Sequence, residues 1–361
     1  GTGGVTGTAG VTGTAGVAGT GGEGTAGVGG TGGTGGTAPV SDKLRVIMSS
    51  DIGGTDFDDQ QSFVHFLVYT HLWDVEGLIS SPWGGGRVSD ILEIIDLYEQ
   101  DYVNLKTHAD YPTPEHLRSV SKQGATGKAS APGWGDSTEG SEWIAEVCNR
   151  PDPRPVWMTI WGAPDDLAQA LHDHPEIETK LRVYWIAGPN RGINPHSTKY
   201  FSENHKNLWI IEADQTYRGF FNGGDTSGGY GNGDWPKEHV GGHGALGDYF
   251  VQHESTIKMG DTPAVLYTID NVLRTPEDPT QPGWGGAFVP QVDPNRQCST
   301  SPARAPSEAC CGGPRPNCWM DNTDGSVAEG KYAGAKTVAM HRKAWLDDWG
   351  KMMDRAQAPK Q

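Results

Sequence analysis

The sequence predicts an α/β protein built on a doubly wound, mostly parallel sheet with helices on both faces. Two observations carry this expectation. The short apolar runs Leu44-Arg-Val-Ile-Met48, Val156-Trp-Met-Thr-Ile160, Val183-Tyr-Trp-Ile186 and Leu208-Trp-Ile-Ile211 have the length and continuous hydrophobicity of strands buried on both faces. Between them lie segments with apolar residues at helical spacing, such as Ser89-Asp-Ile-Leu-Glu-Ile-Ile-Asp-Leu-Tyr98 and Asp165-Asp-Leu-Ala-Gln-Ala-Leu171. In open sheets of this kind ligands bind beyond the carboxyl ends of the strands, so the turns that follow the strands are where a site is expected.

Residues 1–40 repeat Thr-Gly-Thr-Ala-Gly-Val with a period near six, and hold 18 of the 53 glycines and a single charge, Glu23. So little apolar bulk does not offset the entropy of ordering, and the segment reads as a disordered linker spanning roughly 35 Å as a flexible coil. Neither a starting Met nor an apolar signal core precedes it, so any secretion signal or lipid anchor is expected to have been removed. Gly/Thr spacers suit exported proteins, and a secreted, periplasmic or envelope-tethered bacterial location is expected, although a cytosolic linker has the same composition. Residues 41–361 are expected to form one catalytic domain. The net charge of −17 opposes nucleic acid or an anionic membrane as partner, and no apolar run reaches membrane-spanning length.

The first apolar run leads into Asp51-Ile-Gly-Gly-Thr-Asp56-Phe-Asp58-Asp59-Gln60, and the helical pattern Ser62-Phe-Val-His-Phe-Leu-Val-Tyr69 follows. Four carboxylates therefore share one strand-to-helix turn. Like charges that close repel strongly at any protein-like dielectric, and a hard divalent cation would neutralise them. An N-cap role for Asp58 or Asp59 explains one acid and leaves three. Gly53 and Gly54 allow the turn to bend so that Asp51 and Asp59 face a common point. The spacing of an EF-hand loop is absent.

Asp74-Val-Glu-Gly-Leu-Ile-Ser-Ser81 reads as a second strand running into the loop Pro82-Trp83-Gly-Gly-Gly86, and Ser89 as the N-cap of the next helix. Residues 106–141 are loop-rich, Trp161-Gly-Ala-Pro164 is a turn, and residues 219–247 form a long glycine-rich loop of the kind that is usually functional or disordered. Pro263 places Asp261 at the N-terminus of a helix over 264–269, and a closing helix is expected over 333–355. Within a Cys/Pro-rich insertion, residues 291–320, Cys298, Cys310, Cys311 and Cys318 are expected to form two disulfides. A four-Cys zinc site is the alternative, and Cys148 reads as a buried spare thiol. Tryptophan outnumbers both tyrosine and phenylalanine, 13 against 11 and 8, and Trp83, Trp161, Trp235 and Trp284 adjoin glycines or prolines. An indole face suits stacking on a sugar ring, so Trp83, Trp235 and Trp284 are candidate substrate contacts, whereas an ordinary core role suits Trp161 at least as well.

The chain resembles the nucleoside hydrolase superfamily. Those enzymes carry D-x-D-x-G-x-D-D after their first strand, and residues from Ser50-Asp51-Ile-Gly53 through Asp58-Asp59 are similar, with a longer middle and Ser49 in place of the first Asp. Trp161-Gly-Ala-Pro-Asp-Asp-Leu167-Ala is similar to the family's T-G-P-L-T-N-L-A segment, and Gly260-Asp261-Thr-Pro263 to its later H-D-P segment. The strongest resemblance is to the nucleoside-hydrolase-like branch found in bacterial cellulose-binding and other carbohydrate-associated proteins, through Asp74-Val-Glu-Gly-Leu78, Glu139-Gly-Ser-Glu-Trp143 and Gly283-Trp-Gly-Gly286 as well, over residues 44–355.

This resemblance implies a calcium site made of Asp51, Asp59, Asp261 and the backbone carbonyl of Trp161, with Asp58 hydrogen-bonding a sugar hydroxyl and Asp51 acting as general base toward an attacking water. Direct attack by water predicts inversion at the anomeric carbon. Gly260 stands where the family often has a His that helps a base leave, so a replacement acid is sought in the 219–247 loop, with His243, Asp225 and His239 as candidates. The leading expectation is a calcium-dependent hydrolase of a glycosidic bond in a glycan or small glycoside. The alternatives are a non-catalytic carbohydrate- or cellulose-binding protein and a periplasmic N-ribosyl nucleoside hydrolase.

Overall fold

In the computed structural model, which describes residues 41–54, 56–81, 84–269, 275–292, 295 and 312–358, strand β1 (Leu44–Ser50) lies inside an eight-stranded sheet. Its apolar run is continuous because both of its faces are covered. Val46 and Met48 enter the core on one side and Ile47 the core on the other. On one flank β1 pairs with β2 (Trp73–Ser80), which pairs with β3 (Ser121–Gln123). On the other flank come β4 (Val156–Ile160), β5 (Leu181–Ile186) and β6 (Trp209–Ala213), then the two late strands β7 (Phe288–Pro290) and β8 (Cys318–Asp321) in the spatial order β6-β8-β7. All neighbours are parallel except β7 against β8, so the doubly wound, mostly parallel α/β sheet expected from the sequence is found.

Helices α1 (Asp58–Tyr69), α2 (Val88–Leu105), α3 (Pro114–Ser119), α4 (Glu139–Asn149), α5 (Asp165–Asp173), α6 (Gly188–Ile193) and α7 (Pro195–Asn204) punctuate the first six strands. After β6 come α8 (Trp235–His239), α9 (Gly244–His253), α10 (Thr262–Ile269), α11 (Lys336–Ala339) and α12 (Arg342–Asp354). Every residue of α1 after Asp58 is buried, because α2, α9, α10 and α12 all pack around it. On the opposite face of the sheet α5 packs between α4 and α7.

Several local expectations change. Helix α2 starts at Val88, where the Arg87 N–H donates to Asp90 Oδ2 at 2.6 Å, so Ser89 lies inside the helix instead of capping it. The segment 106–141 contains α3 and β3, and the 219–247 loop contains α8 and the start of α9. The closing helix is broken between α11 and α12.

One face of α5 organises the loop from 124 to 138. Asp165 Oδ1 accepts the Ala129 N–H at 2.6 Å, Gln169 Oε1 accepts the Gly135 N–H at 2.7 Å, and Asp173 Oδ2 accepts the Ser137 hydroxyl at 2.9 Å. Residues four apart stand above one another on a helix, so these acceptors form a ladder. Asp166 adds the Ala125 N–H at 3.0 Å and the Thr138 hydroxyl.

Within β6, Glu212 is held between two buried guanidinium groups, Arg191 Nη2 at 2.8 Å and Arg315 Nη1 at 2.7 Å, and Arg191 also meets Asp214 at 3.1 Å. Cys148 is a free, buried cysteine, and burial pushes its thiol up to about 12. Cys318 is fully buried on β8, while Cys298, Cys310 and Cys311, and with them the expected pairing, lie outside the described residues, as does the 1–40 linker. Among the described residues no helix is long and apolar enough to cross a membrane.

Candidate active site

The strand order reverses at β1 and β4, since the chain moves outward from β1 to β2 and β3 before returning to β4 on the other side. A crevice opens at the carboxyl ends of such a pair. Here it is a cavity of 270 Å³ lined by five carboxylates, Asp51, Asp56, Asp58, Asp59 and Asp261, and walled by Trp161, Ile186, Asn190, Ile193 and Tyr217. It is at the small end for a ligand cavity, which runs roughly from 300 to 1,000 Å³.

Local sequence explains how the acids meet. Asp51 directly follows β1, and Asp58 and Asp59 open α1, so the turn between them folds the three together. The Ser50 hydroxyl bridges this turn, donating to Asp59 Oδ1 and accepting the Ile52 N–H at 3.0 Å. From the β4–α5 turn, Gly162 comes so close that a β-carbon on it would lie 2.1 Å from Asp51 Oδ1. Asp261 arrives from the turn before α10, about two hundred residues away in sequence, because α10 packs on α1.

The electrostatics are strained. Asp51, Asp56, Asp58, Asp59 and Asp261 all line the one cavity, and oxygens of Asp56, Asp58 and Asp59 come within 4.8 Å of one another. Burial first, and then the neighbouring carboxylates, pushes Asp51 up to about 6 and Asp58, Asp59 and Asp261 well above the usual carboxylate range. Asp261 Oδ2 is buried and has no hydrogen-bond partner among the described residues. A buried carboxylate oxygen left unpartnered among the described residues and facing other carboxylates is the situation a bound hard cation relieves, and the donor set is oxygen alone, so these residues fit a hard divalent cation of the calcium or magnesium kind. Among the described residues, the acids that each offer an oxygen within 4.8 Å of the others are Asp56, Asp58 and Asp59, which adds Asp56 to the candidate ligands, while Asp51 and Asp261 line the same cavity outside that group.

Trp161 is buried at the end of β4, packed edge-on to Phe66 with ring centroids 6.2 Å apart, and it also lines the cavity. Its carbonyl accepts the Asn190 side-chain N–H at 3.1 Å, and Asn190 donates to Ile186 O at 2.9 Å as well. A carbonyl oxygen has two lone pairs, so this bond orients Trp161 O and leaves one pair available.

Other expected contacts are not brought here. His243 lies at the start of α9, where its Nδ1 meets Gly241 O at 3.0 Å and its Nε2 meets Asp354 at 3.3 Å, and it is not among the residues that line the cavity. Asp225 is exposed and ion-paired to Lys343 at 2.6 Å, which with the Ser227 bonds holds its carboxyl below the usual range. Trp235 is core, stacked on Trp349 at 4.9 Å and on His239 at 4.8 Å. Trp284 packs half-buried against the same core, and Trp83 lies outside the described residues.

Two site residues escaped the sequence reading. Tyr217 comes from the single-turn helix Thr216–Phe220 after β6, and Asn190 from α6 after β5. The usable signal was position, since both directly follow the carboxyl end of a predicted strand. Tyr217 is buried among Asp58, Asp214 and Asp261, and burial raises its phenol above the ordinary range.

The sheet order and the acidic crevice at its switch point define an α/β fold of the nucleoside-hydrolase kind. The chain belongs to the family described as cellulose-binding Sde182, nucleoside hydrolase-like domain, whose model matches residues 45–288. Among solved structures it is similar to a nucleoside hydrolase-related hypothetical protein from Saccharophagus degradans associated with carbohydrate metabolism. That likeness has 26% identity and a TM-score of 0.65, and covers 87% of this chain and 72% of that one. The effector protein XOO4466 shares the fold at 7% identity and a TM-score of 0.50, covering 87% of this chain and 94% of that one. An inosine-uridine preferring nucleoside hydrolase from Bacillus anthracis aligns at 14% identity and a TM-score of 0.48, covering 86% of this chain and 99% of that one. No curated protein matches the chain.

Proposed function

We propose that the domain is a calcium-dependent hydrolase that cleaves the glycosidic bond of a glycan or small glycoside, with Asp51, Asp59, Asp261 and the Trp161 carbonyl holding the ion. The observation that carries this reading is the convergence of five carboxylates on one small cavity, one of them with a buried oxygen that no described residue satisfies. Calcium, when bound, would supply positive charge that acidifies water and holds vicinal hydroxyls of a sugar.

The protein's own groups then divide the work. Asp51, held at the end of β1 against Gly162, takes the proton of the attacking water. Asp58, at the mouth of α1, accepts a hydrogen bond from a sugar hydroxyl. Asn190 fixes the Trp161 carbonyl, and Ile186 and Ile193 keep bulk water from the walls. Tyr217 lines the cavity and its phenol, protonated at neutral pH, donates a hydrogen bond to the departing oxygen, which finally takes its proton from solvent as Asp51 returns to solvent the one it removed from water.

Release of sugar from a panel of aryl glycosides and nucleosides, with and without chelator, tests the proposal. Chelator-sensitive release from aryl glycosides supports it. Release from nucleosides alone would assign the site to N-ribosyl hydrolysis. Carbohydrate binding without turnover would support the second reading, a binding protein, which the family's description as cellulose-binding favours. Secretion and tethering through residues 1–40 accompany either reading as proposals.

A further inference from the structure

Trp134 is 37% exposed and is the one aromatic among the exposed large apolar side chains of the described residues. Its position is nevertheless fixed from both sides. The preceding Gly133 has φ 109, and a β-carbon there would lie 2.3 Å from His196 O and 2.8 Å from Tyr200 Cβ, so this loop can lie on α7 only with glycine at that position. The following Gly135 donates its N–H to Gln169 on α5 at 2.7 Å. Between these anchors the indole lies flat on the His172 ring, with centroids 3.7 Å apart and planes at 18°. His172 is in turn tied through Nδ1 to Asp173 Oδ1 at 2.7 Å and sits 5.9 Å from the Tyr200 ring.

Trp134 and Tyr200 line a groove of 540 Å³ together with Pro132, His196, Lys199 and Glu203. Lys199 and Glu203 are paired with each other, so the groove carries balanced charge and favours neither an anion nor a cation. It is distinct from the acidic cavity. Ile193 lines that cavity and His196 lines the groove, on either side of the junction between α6 and α7.

We infer that this groove is a second binding site, for a neutral oligosaccharide chain. A pyranose presents an apolar face of C–H groups and a rim of hydroxyls. A rigid, exposed indole matches the face, and the imidazole, ammonium and carboxylate groups along α7 match the rim. The platform is already ordered without ligand, so stacking costs little additional entropy. This inference stands independently of turnover in the acidic cavity.

The test is calorimetric titration of the full chain with cellohexaose, xylohexaose and mannohexaose, repeated on Trp134→Ala, Tyr200→Ala and, as a surface control outside the groove, Val103→Ala. The expected result is binding of at least one oligosaccharide that weakens roughly tenfold or more in Trp134→Ala, weakens in Tyr200→Ala and is unchanged in Val103→Ala. No binding of any of the three by the unaltered protein would overturn the assignment. So would binding that is kept in both Trp134→Ala and Tyr200→Ala, or retention on phenyl resin through Trp134 with no oligosaccharide bound, which would mark an apolar docking face instead.

Discussion

Gly260 faces Asp58 so closely that a β-carbon on it would lie 2.8 Å from Asp58 Oδ2. A side chain at position 260 would therefore collide with that carboxylate. Gly260→Ala is expected to push Asp58 out of line and weaken sugar binding about tenfold, with a melting-temperature change of only a few degrees. Gly260→His should fail to increase nucleoside cleavage for the same reason. Substrate-binding titrations alongside thermal melts separate the two effects, and unchanged affinity in Gly260→Ala would remove Asp58 from the sugar contact.

Ligand and base should respond differently to mutation. Asp59→Ala and Asp261→Ala are expected to lose calcium on dialysis, with excess calcium restoring part of the activity. Asp51→Asn should keep much of its calcium and lose turnover by a factor of about 10²–10⁴, the usual worth of a general base. Metal analysis and single-turnover rates measured on the same preparations check both halves. A calcium-loaded Asp51→Asn protein at near full rate would move the base to Asp58.

The strands most legible in the sequence are β1, β4, β5 and β6, because burial on both faces leaves a nearly continuous apolar run, whereas β2 alternates half-buried Asp74 and Glu76 with buried residues before its buried end. By contrast β3 is Ser-Lys-Gln and β8 is Cys-Trp-Met-Asp, and pairing with a neighbour makes them strands where composition does not. At the site, Asp51, Asp58 and Asp59 could be read together because repulsion within a single turn is local. For Tyr217 and Asn190 the sequence offered only their position after a strand, since it is the tertiary fold that brings them to those acids. Trp235 misled for the converse reason. Its glycine- and proline-rich surroundings suggest a surface loop, yet its ring completes a core stack with Trp349.

Glu212→Gln should be severe. It would leave the guanidiniums of Arg191 and Arg315 buried against a neutral amide, with Asp214 compensating only the first, at an expected cost of about 3–5 kcal/mol. Urea titration measures it directly. A loss below about 1 kcal/mol would show that relaxation or water compensates the pair.

His65, buried on α1 between Tyr69 and Trp349, is held down to about 3 by burial from an ordinary 6.5. The folded value lies below the unfolded one, so its contribution is intact above about 6.5 and is lost as pH falls toward 3, at up to about 1.4 kcal/mol per pH unit. Stability of the unaltered protein should therefore fall more steeply across that window than stability of His65→Phe. Parallel slopes for the two proteins would count against a buried neutral imidazole.

The acceptors on α5 at 165, 169 and 173 act on the chain opposite them as a ruler with fixed graduations. Such a ruler reads the number of residues between its marks and is indifferent to which residues they are. The six-residue interval from Ala129 to Gly135 that displays Trp134 should thus be free to change its side chains, except at Gly133, and closed to any change in length. For anyone wishing to redirect what the groove recognises, substitution between those marks is the open route. Deleting even one residue there would pull Trp134 off its imidazole support before it altered any contact with a ligand.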